Sequence, residues 1–157
     1  MSFIIKYGDL FENVKHGHIV HGCNAQGVMG SGFAALIRNK YPVAYQAYMK
    51  QANTGYILGE VIPIIVEPNI EIIHAITQEF YGTDRVHVDY DAVRQAMKGT
   101  LHLATILLIE STDVHMPLIG GGLAGGDQSK LISIMDEIFG DAEVSATLWL
   151  LEPVKNQ

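Results

Sequence analysis

Short apolar runs without regular polar alternation punctuate this chain, and stretches of helical period separate them. Residues 3–7 and 19–23 read as strands, the second beginning over 18–20. Residues 60–67 and 70–77 are two more β-rich runs, and Pro68-Asn69 between them predicts a hairpin-like pair. Residues 114–119 form a short buried strand and 144–151 a final apolar one. Helices lie between. Phe33, Leu36, Ile37 and Tyr41 share one stripe over 32–40, and Pro42 can open a following helix to about residue 53. Asp89 or Asp91 can cap a long helix with Val93, Ala96, Met97, Thr100, Leu101, Ala104, Leu107 and Leu108 at helical spacing. Residues 127–139 form the last helix, closed by Gly140.

Strands that alternate with helices and lack a polar face belong to a sheet covered on both sides. The pattern therefore predicts an α/β fold, a three-layer α/β/α sandwich, and the pair around Pro68-Asn69 makes the central sheet mixed. With 157 residues, one domain over 1–157 is expected. Hydrophobic residues at 48% and charged residues at 17% exclude intrinsic disorder. A single cysteine, Cys23, excludes a disulfide framework and a cysteine-rich zinc module. The longest uncharged apolar stretch, 99–109, is too short to span a bilayer. Asp9 arrives too early for a signal-peptide core. The expectation is a protein without a membrane partner in a reducing cytoplasm, the host's if the source is a virus. Nothing in the pattern demands more than a monomer.

Charge narrows the ligand class. The formal net charge is −7 at pH 7, and no four basic residues adjoin, so a broad grip on duplex nucleic acid is not expected. An anion would have to be held locally, by main-chain N–H groups. Nine of the 16 glycines fall in two windows, 22–32 and 120–126. Each window follows an expected strand and precedes an expected helix, where open α/β sheets form their ligand crevice. Glycine there lets amides approach phosphate oxygens, and the helix N-terminus favours negative charge. Two such loops could clamp a diphosphate. Tight turns alone would leave the clustering unexplained.

Other phosphate motifs fit poorly. Gly22 and Gly27 have P-loop spacing, but Val28 stands where that loop needs lysine. Gly30-Ser31-Gly32-Phe33-Ala34-Ala35 has the form GxGxxA but starts seven residues after Cys23, too far from the strand end for a dinucleotide fold.

Gly8-Asp9-Leu10-Phe11, Val20-His21-Gly22-Cys23-Asn24, Met29-Gly30-Ser31-Gly32-Phe33-Ala34 and Pro117-Leu118-Ile119-Gly120-Gly121-Gly122-Leu123-Ala124 resemble macro domains in order and spacing. The branch most resembled contains ADP-ribose 1″-phosphate phosphatases and terminal ADP-ribose–glutamate hydrolases. The resemblance implies an ADP-ribose or ADP-ribose 1″-phosphate ligand and no cofactor. Asp9 would accept from the adenine amino group, flanked by Gly8 and Leu10. Asn24 would hold the distal ribose. Gly30, Ser31 and Gly32, flanked by Met29 and Phe33, would wrap that ribose and a phosphate. Gly120, Gly121, Gly122, Leu123, Ala124 and Gly125 would line the diphosphate, and Gly22 and Cys23 the strand end.

His21 is the expected acid or nucleophile beside phosphate. Asp127 is an N-cap that could also activate water opposite it. Cys23 lacks an evident activating base and suits a buried position better than a nucleophile's. His16, His18 and His21 alternate at spacings that could mimic a metal site, but no metal is expected. Two departures from the glutamate-hydrolase branch stand out. Thr77-Gln78-Glu79 replaces the stretch with its lysine, and Ala124 occupies the place of its aspartate. Met29 stands where many macro domains have histidine. Hydrolysis of ADP-ribose 1″-phosphate to ADP-ribose and phosphate is therefore the expected activity. An ADP-ribosyl hydrolase acting on modified protein or nucleic acid, or a non-catalytic reader, are the alternatives.

Overall fold

The computed structural model describes residues 2–122 and 124–154. In chain order the elements are β1 (Ser2–Tyr7), α1 (Leu10–Asn13), β2 (Gly17–Asn24), α2 (Gly32–Lys40), α3 (Pro42–Gln51), β3 (Val61–Glu67), β4 (Ile70–Gln78), α4 (Tyr90–Thr105), β5 (Val114–Met116), α5 (Gln128–Phe139) and β6 (Ser145–Leu150). The six strands form one sheet in the order β1-β6-β5-β2-β4-β3. All neighbours run parallel except β3, which is antiparallel to β4. The sheet is mixed, as the Pro68-Asn69 pair predicts. Pro63 is tolerated because β3 is an edge strand, where a missing N–H breaks no inner ladder.

Side chains of β2 and β4 alternate between two cores, as the twofold strand period requires. Val20 and Ile73 point into the layer formed with α4 and α5, around Met97, Leu131 and Phe139. Ile19, Cys23, Ile72 and Ile76 point into the opposite layer, against Ile37, Ala44 and Tyr48 of α2 and α3. The three-layer α/β/α arrangement follows.

Three differences from the sequence pattern have a local reason. β5 stops at Met116, because Pro117 has no N–H to continue the ladder. α4 ends at Thr105, and Leu107 adopts a left-handed φ of 57°. That turn leaves Leu107 and Leu108 exposed and returns Ile109 to the core, so the helical stripe ends at Ala104. The turn after β1 contains a further short helix, α1, whose N-cap Asp9 accepts from Glu12 N at 3.2 Å.

Among the described residues, one buried histidine–glutamate contact ties two strands of this frame together. At the start of β2, His18 Nδ1 lies 2.8 Å from Glu71 Oε1 on β4, and His18 Nε2 lies 3.0 Å from the Ser111 carbonyl. Both side chains are almost wholly inaccessible, at 0% and 1%. A buried polar group left without its partner is costly, so Glu71→Ala is expected to lower stability by about 1–3 kcal/mol. Urea unfolding checks this, and a loss below about 1 kcal/mol, the size of an exposed pair, would contradict it.

Candidate functional site

The parallel strands bring their carboxyl ends to one edge of the sheet, and the two glycine windows meet there. A cavity of about 500 Å³ lies between them. Its first wall comes from the end of β2 and the loop into α2: Gly22, Cys23, Asn24, Gly30, Ser31 and Gly32. Phe33, Ala34 and Val28 complete that wall. The second wall follows β5: Pro117, Leu118, Ile119, Gly120, Gly122 and Ala124. Gln78, Tyr81, Gly82 and Thr83, at and beyond the end of β4, close the side.

Two glycines have clear reasons to be glycine. At Gly22 a Cβ would come within 2.9 Å of both Ile119 Cγ2 and Thr77 Oγ1, so the walls could not approach. Gly120 has a φ of +77°, and a Cβ there would collide with Val88. Gly122 and Gly30 are different. At Gly122 a Cβ meets nothing within 4 Å, and at Gly30 only Val28 Cγ1 at 3.9 Å.

The distinguishing feature is a set of unused main-chain donors. Ser31 is the N-cap of α2, yet its side chain makes no capping bond. Among the described residues, the N–H groups of Gly30, Ser31, Gly32, Phe33 and Ala34 have no protein acceptor, and neither do those of Gly120 and Gly122. A helix start leaves such donors by construction, and its dipole adds positive potential. All seven residues line the cavity. Among the described residues, none that lines it is Asp, Glu, Lys, Arg or His. The site is thus positive through its backbone, in a chain of net charge −7.

Asn24 holds the first loop in shape. Its Oδ1 accepts from Gln26 N at 3.0 Å, Val28 N at 3.2 Å and Tyr48 Oη at 3.0 Å, and its Nδ2 donates to the Val28 carbonyl at 2.7 Å. Tyr48 Oη also donates to the Asn24 carbonyl at 2.5 Å and accepts from Gly27 N at 3.1 Å. Asn24 borders the cavity, but its oxygen is committed, so it has one N–H left to offer a ligand.

A family model described as the macro domain matches residues 20–135. The chain belongs to the macro domain family. An "ADP-ribose 1''-phosphate phosphatase" of Meyerozyma guilliermondii is 28% identical over 144 residues, covering 74% of this chain and 82% of that protein. Shorter matches to proteins of the same name in Ajellomyces capsulatus and Aspergillus clavatus span only 19% and 21% of those proteins. Among solved structures, a Bacteroides thetaiotaomicron protein of unknown function superposes with a TM-score of 0.82 at 29% identity, over 95% of this chain and 98% of that one. Thermosipho africanus DarTG, solved in complex with ADP-ribose, superposes with a TM-score of 0.75 at 17% identity, over 96% of this chain and 43% of that one.

Within this macro domain, several residues singled out from sequence lie elsewhere. His21 does not face the cavity. Strand alternation turns it to the same side as Ile19 and Cys23, where it is 1% exposed beneath Phe33, whose ring centroid lies 5.9 Å away. Its Nε2 meets His74 Nδ1 at 2.7 Å. Asp127 is an N-cap and not a cavity residue: its Oδ1 accepts from Ser129 N at 3.0 Å and Lys130 N at 3.3 Å. Its own N–H donates to Tyr90 Oη at 3.0 Å. Met29 and Leu10 are core residues, 1% and 4% exposed. Gly8 packs against Trp149, and Asp9 is exposed at the end of β1, on the cavity's edge of the sheet but outside its lining. Gly121 and Gly125 shape the second loop, donating to the carbonyls of Leu118 and Gly122 at 3.2 and 3.0 Å. Leu123 lies outside the described residues.

The structure also brings in residues that the sequence pattern did not single out. Tyr81, Gly82 and Thr83 follow β4, and their position after a parallel strand was the available signal. His16 and His18 are separated from His21: His16 Nδ1 contacts Ser111 Oγ at 2.9 Å, and His18 pairs with Glu71.

Burial, and secondarily the neighbouring His74, holds the His21 pKa well below the ordinary 6.5. Burial likewise lowers His74 to about 4, and it pushes the Cys23 thiol far up. Both imidazoles are therefore neutral when folded. Because the unfolded chain binds more protons below 6.5, their contribution to stability is complete above that pH and is lost as pH falls toward the folded values. In an NMR titration, the His21 and His74 ring signals should stay unprotonated from about pH 8 to pH 5.5, where an unperturbed imidazole would be mostly charged. A midpoint near 6.5 for either ring would contradict the buried, neutral pair.

Proposed function

We propose that this protein binds ADP-ribose through its backbone and takes ADP-ribose 1″-phosphate as substrate. One observation carries the reading: among the described residues, seven unpaired main-chain N–H groups from two loops line one cavity with no acidic side chain. A diphosphate fits such donors, since each phosphate oxygen accepts and none donates. The distal ribose would lie against Gly22, Asn24 and Gly32, with the remaining Asn24 N–H on a ribose hydroxyl. Adenine would extend toward Asp9, whose second carboxylate oxygen can accept from an exocyclic amine. The relatives named for ADP-ribose 1″-phosphate, and the DarTG structure holding ADP-ribose, support the ligand class.

In this reading hydrolysis does not use His21, which is buried outside the cavity lining, or Asp127, which caps α5, directly. The reaction breaks the bond between phosphorus and the anomeric oxygen, joins a water oxygen to phosphorus and returns a proton to the sugar. An anomeric oxygen leaves more readily than an ordinary alkoxide, which lessens the need for an acid. The loop amides would stabilise charge gathering on the phosphoryl oxygens. Gln78 and Thr83 at the cavity's side are the uncharged groups that could orient water. A second reading is a reader that binds without turnover, favoured by the lack of any ordinary acid or base in the lining.

Gly122→Glu and Gly30→Glu test the pocket, because each position has space for a side chain that would fill the cavity with negative charge. Each variant is expected to keep the melting temperature and lose at least about tenfold in ADP-ribose affinity by calorimetry, ~1.4 kcal/mol. Unchanged affinity in both would contradict the assignment. Phosphate release from ADP-ribose 1″-phosphate separates the enzyme from the reader, which would bind and release none.

A further inference from the structure

Strand register places a second group of reactive side chains under the cavity. His21 on β2 and His74 on β4 are partners across the parallel ladder, and Cys23 lies two residues further along β2 on the same face. Cys23 Sγ is 3.7 Å from His21 Nε2 and 3.8 Å from His74 Nδ1, and the two nitrogens are 2.7 Å apart. All three potential ligand atoms lie within 4.8 Å of one another and are buried.

We infer that His21 Nε2, Cys23 Sγ and His74 Nδ1 form a binding site for one zinc-type divalent cation. In a tetrahedral zinc site, ligand atoms sit about 3.3 Å apart for two nitrogens and about 3.6 Å for sulfur and nitrogen. Both sulfur–nitrogen distances fall within about 0.2 Å of that value. Because Cys23 Sγ is 3.7 and 3.9 Å from the two His21 nitrogens, the His21 ring must turn to aim Nε2 at the ion. The two nitrogens need to part by roughly 0.6 Å, which converts a hydrogen bond into two metal bonds.

The bonds of His74 fit ligation. His74 Nε2 is 2.8 Å from the Ala44 carbonyl, which can only accept. That bond fixes the His74 proton on Nε2, leaves Nδ1 free as a donor to metal, and braces the ring against α3, as metal-binding histidines usually are. His21 must move its proton from Nε2 to Nδ1, which among the described residues has no nearer polar neighbour than Cys23 Sγ at 3.9 Å. The bond to the Ala44 carbonyl and the bond between the rings place one proton on each imidazole, so neither must lose one. The thiol must: the cation displaces one proton from Cys23, and the charge at the site rises from zero to +1. Cys23 is also the one ligand bordering the cavity, which leaves the fourth position to solvent from that side. The added positive charge would lie beneath a cavity already lined with unpaired N–H groups.

The full-length chain, stripped of metal by chelator and titrated with cobalt(II), tests this site independently of any ADP-ribose binding. One equivalent of cobalt should produce intense visible bands of a tetrahedral ion and a near-ultraviolet sulfur-to-cobalt charge-transfer band. Cys23→Ser should abolish the charge-transfer band while retaining the circular dichroism of the fold. His74→Gln should weaken binding by at least about tenfold. Calorimetry in buffers of different ionisation enthalpy should show one proton released per ion, with affinity rising with pH. Cobalt binding without a charge-transfer band, a band that persists in Cys23→Ser, or no proton release would overturn the site. The cluster would then be a hydrogen-bonded pair of imidazoles beside an inert thiol.

Discussion

A helix that starts without a side-chain cap is the feature on which the site depends. Most helices in this chain satisfy their first amides: Asp9, Asp89 and Asp127 each cap one. Ser31 does not, and α2 opens onto the cavity with its donors unused. Leaving several N–H groups unpaired is unfavourable unless water or a ligand accepts them. The molecule holds them open by fixing the preceding loop elsewhere, through Asn24 and Tyr48 on the backbone of residues 26–28. Opposite, Gly120 and Gly122 present the same chemistry from a loop pinned by bonds of Gly121, Gly125 and Gly126. The cavity is thus attractive to anions without a basic side chain.

Much of this architecture was legible because it rests on local rules. Pro42 at a helix start, Pro68-Asn69 between two β-rich runs and the capping position of Asp127 are all found where their chemistry predicts. The two glycine windows meet because parallel strands share an end, and that follows from the order of elements alone. What could not be read were consequences of contacts distant in sequence. α4 stops at Thr105 although leucines continue the helical period, because Ile109 and not Leu107 or Leu108 reaches the core. Tyr81, Gly82 and Thr83 carry no motif, and only folding places them at the cavity.

His21 shows the limit most clearly. Beside a glycine-rich loop it reads as chemistry, but a strand sends neighbouring residues to opposite faces, and its partner is set by pairing with β4. His74, 53 positions away, turns His21 into half of a buried imidazole pair. The same pairing brings Cys23 alongside, a grouping that spacing among His16, His18 and His21 did not suggest. Asn24 moved less: it stays at the cavity, but as the residue that shapes the loop.

The central claim is that unpaired main-chain amides capture the ligand. The most direct measurement is a titration of the isotopically labelled protein with ADP-ribose, followed through its amide signals. The account predicts saturable shifts in the N–H resonances of Gly30, Ser31, Gly32, Gly120 and Gly122, with the amides of β3 unmoved. Saturating ligand that leaves those five resonances in place would contradict it.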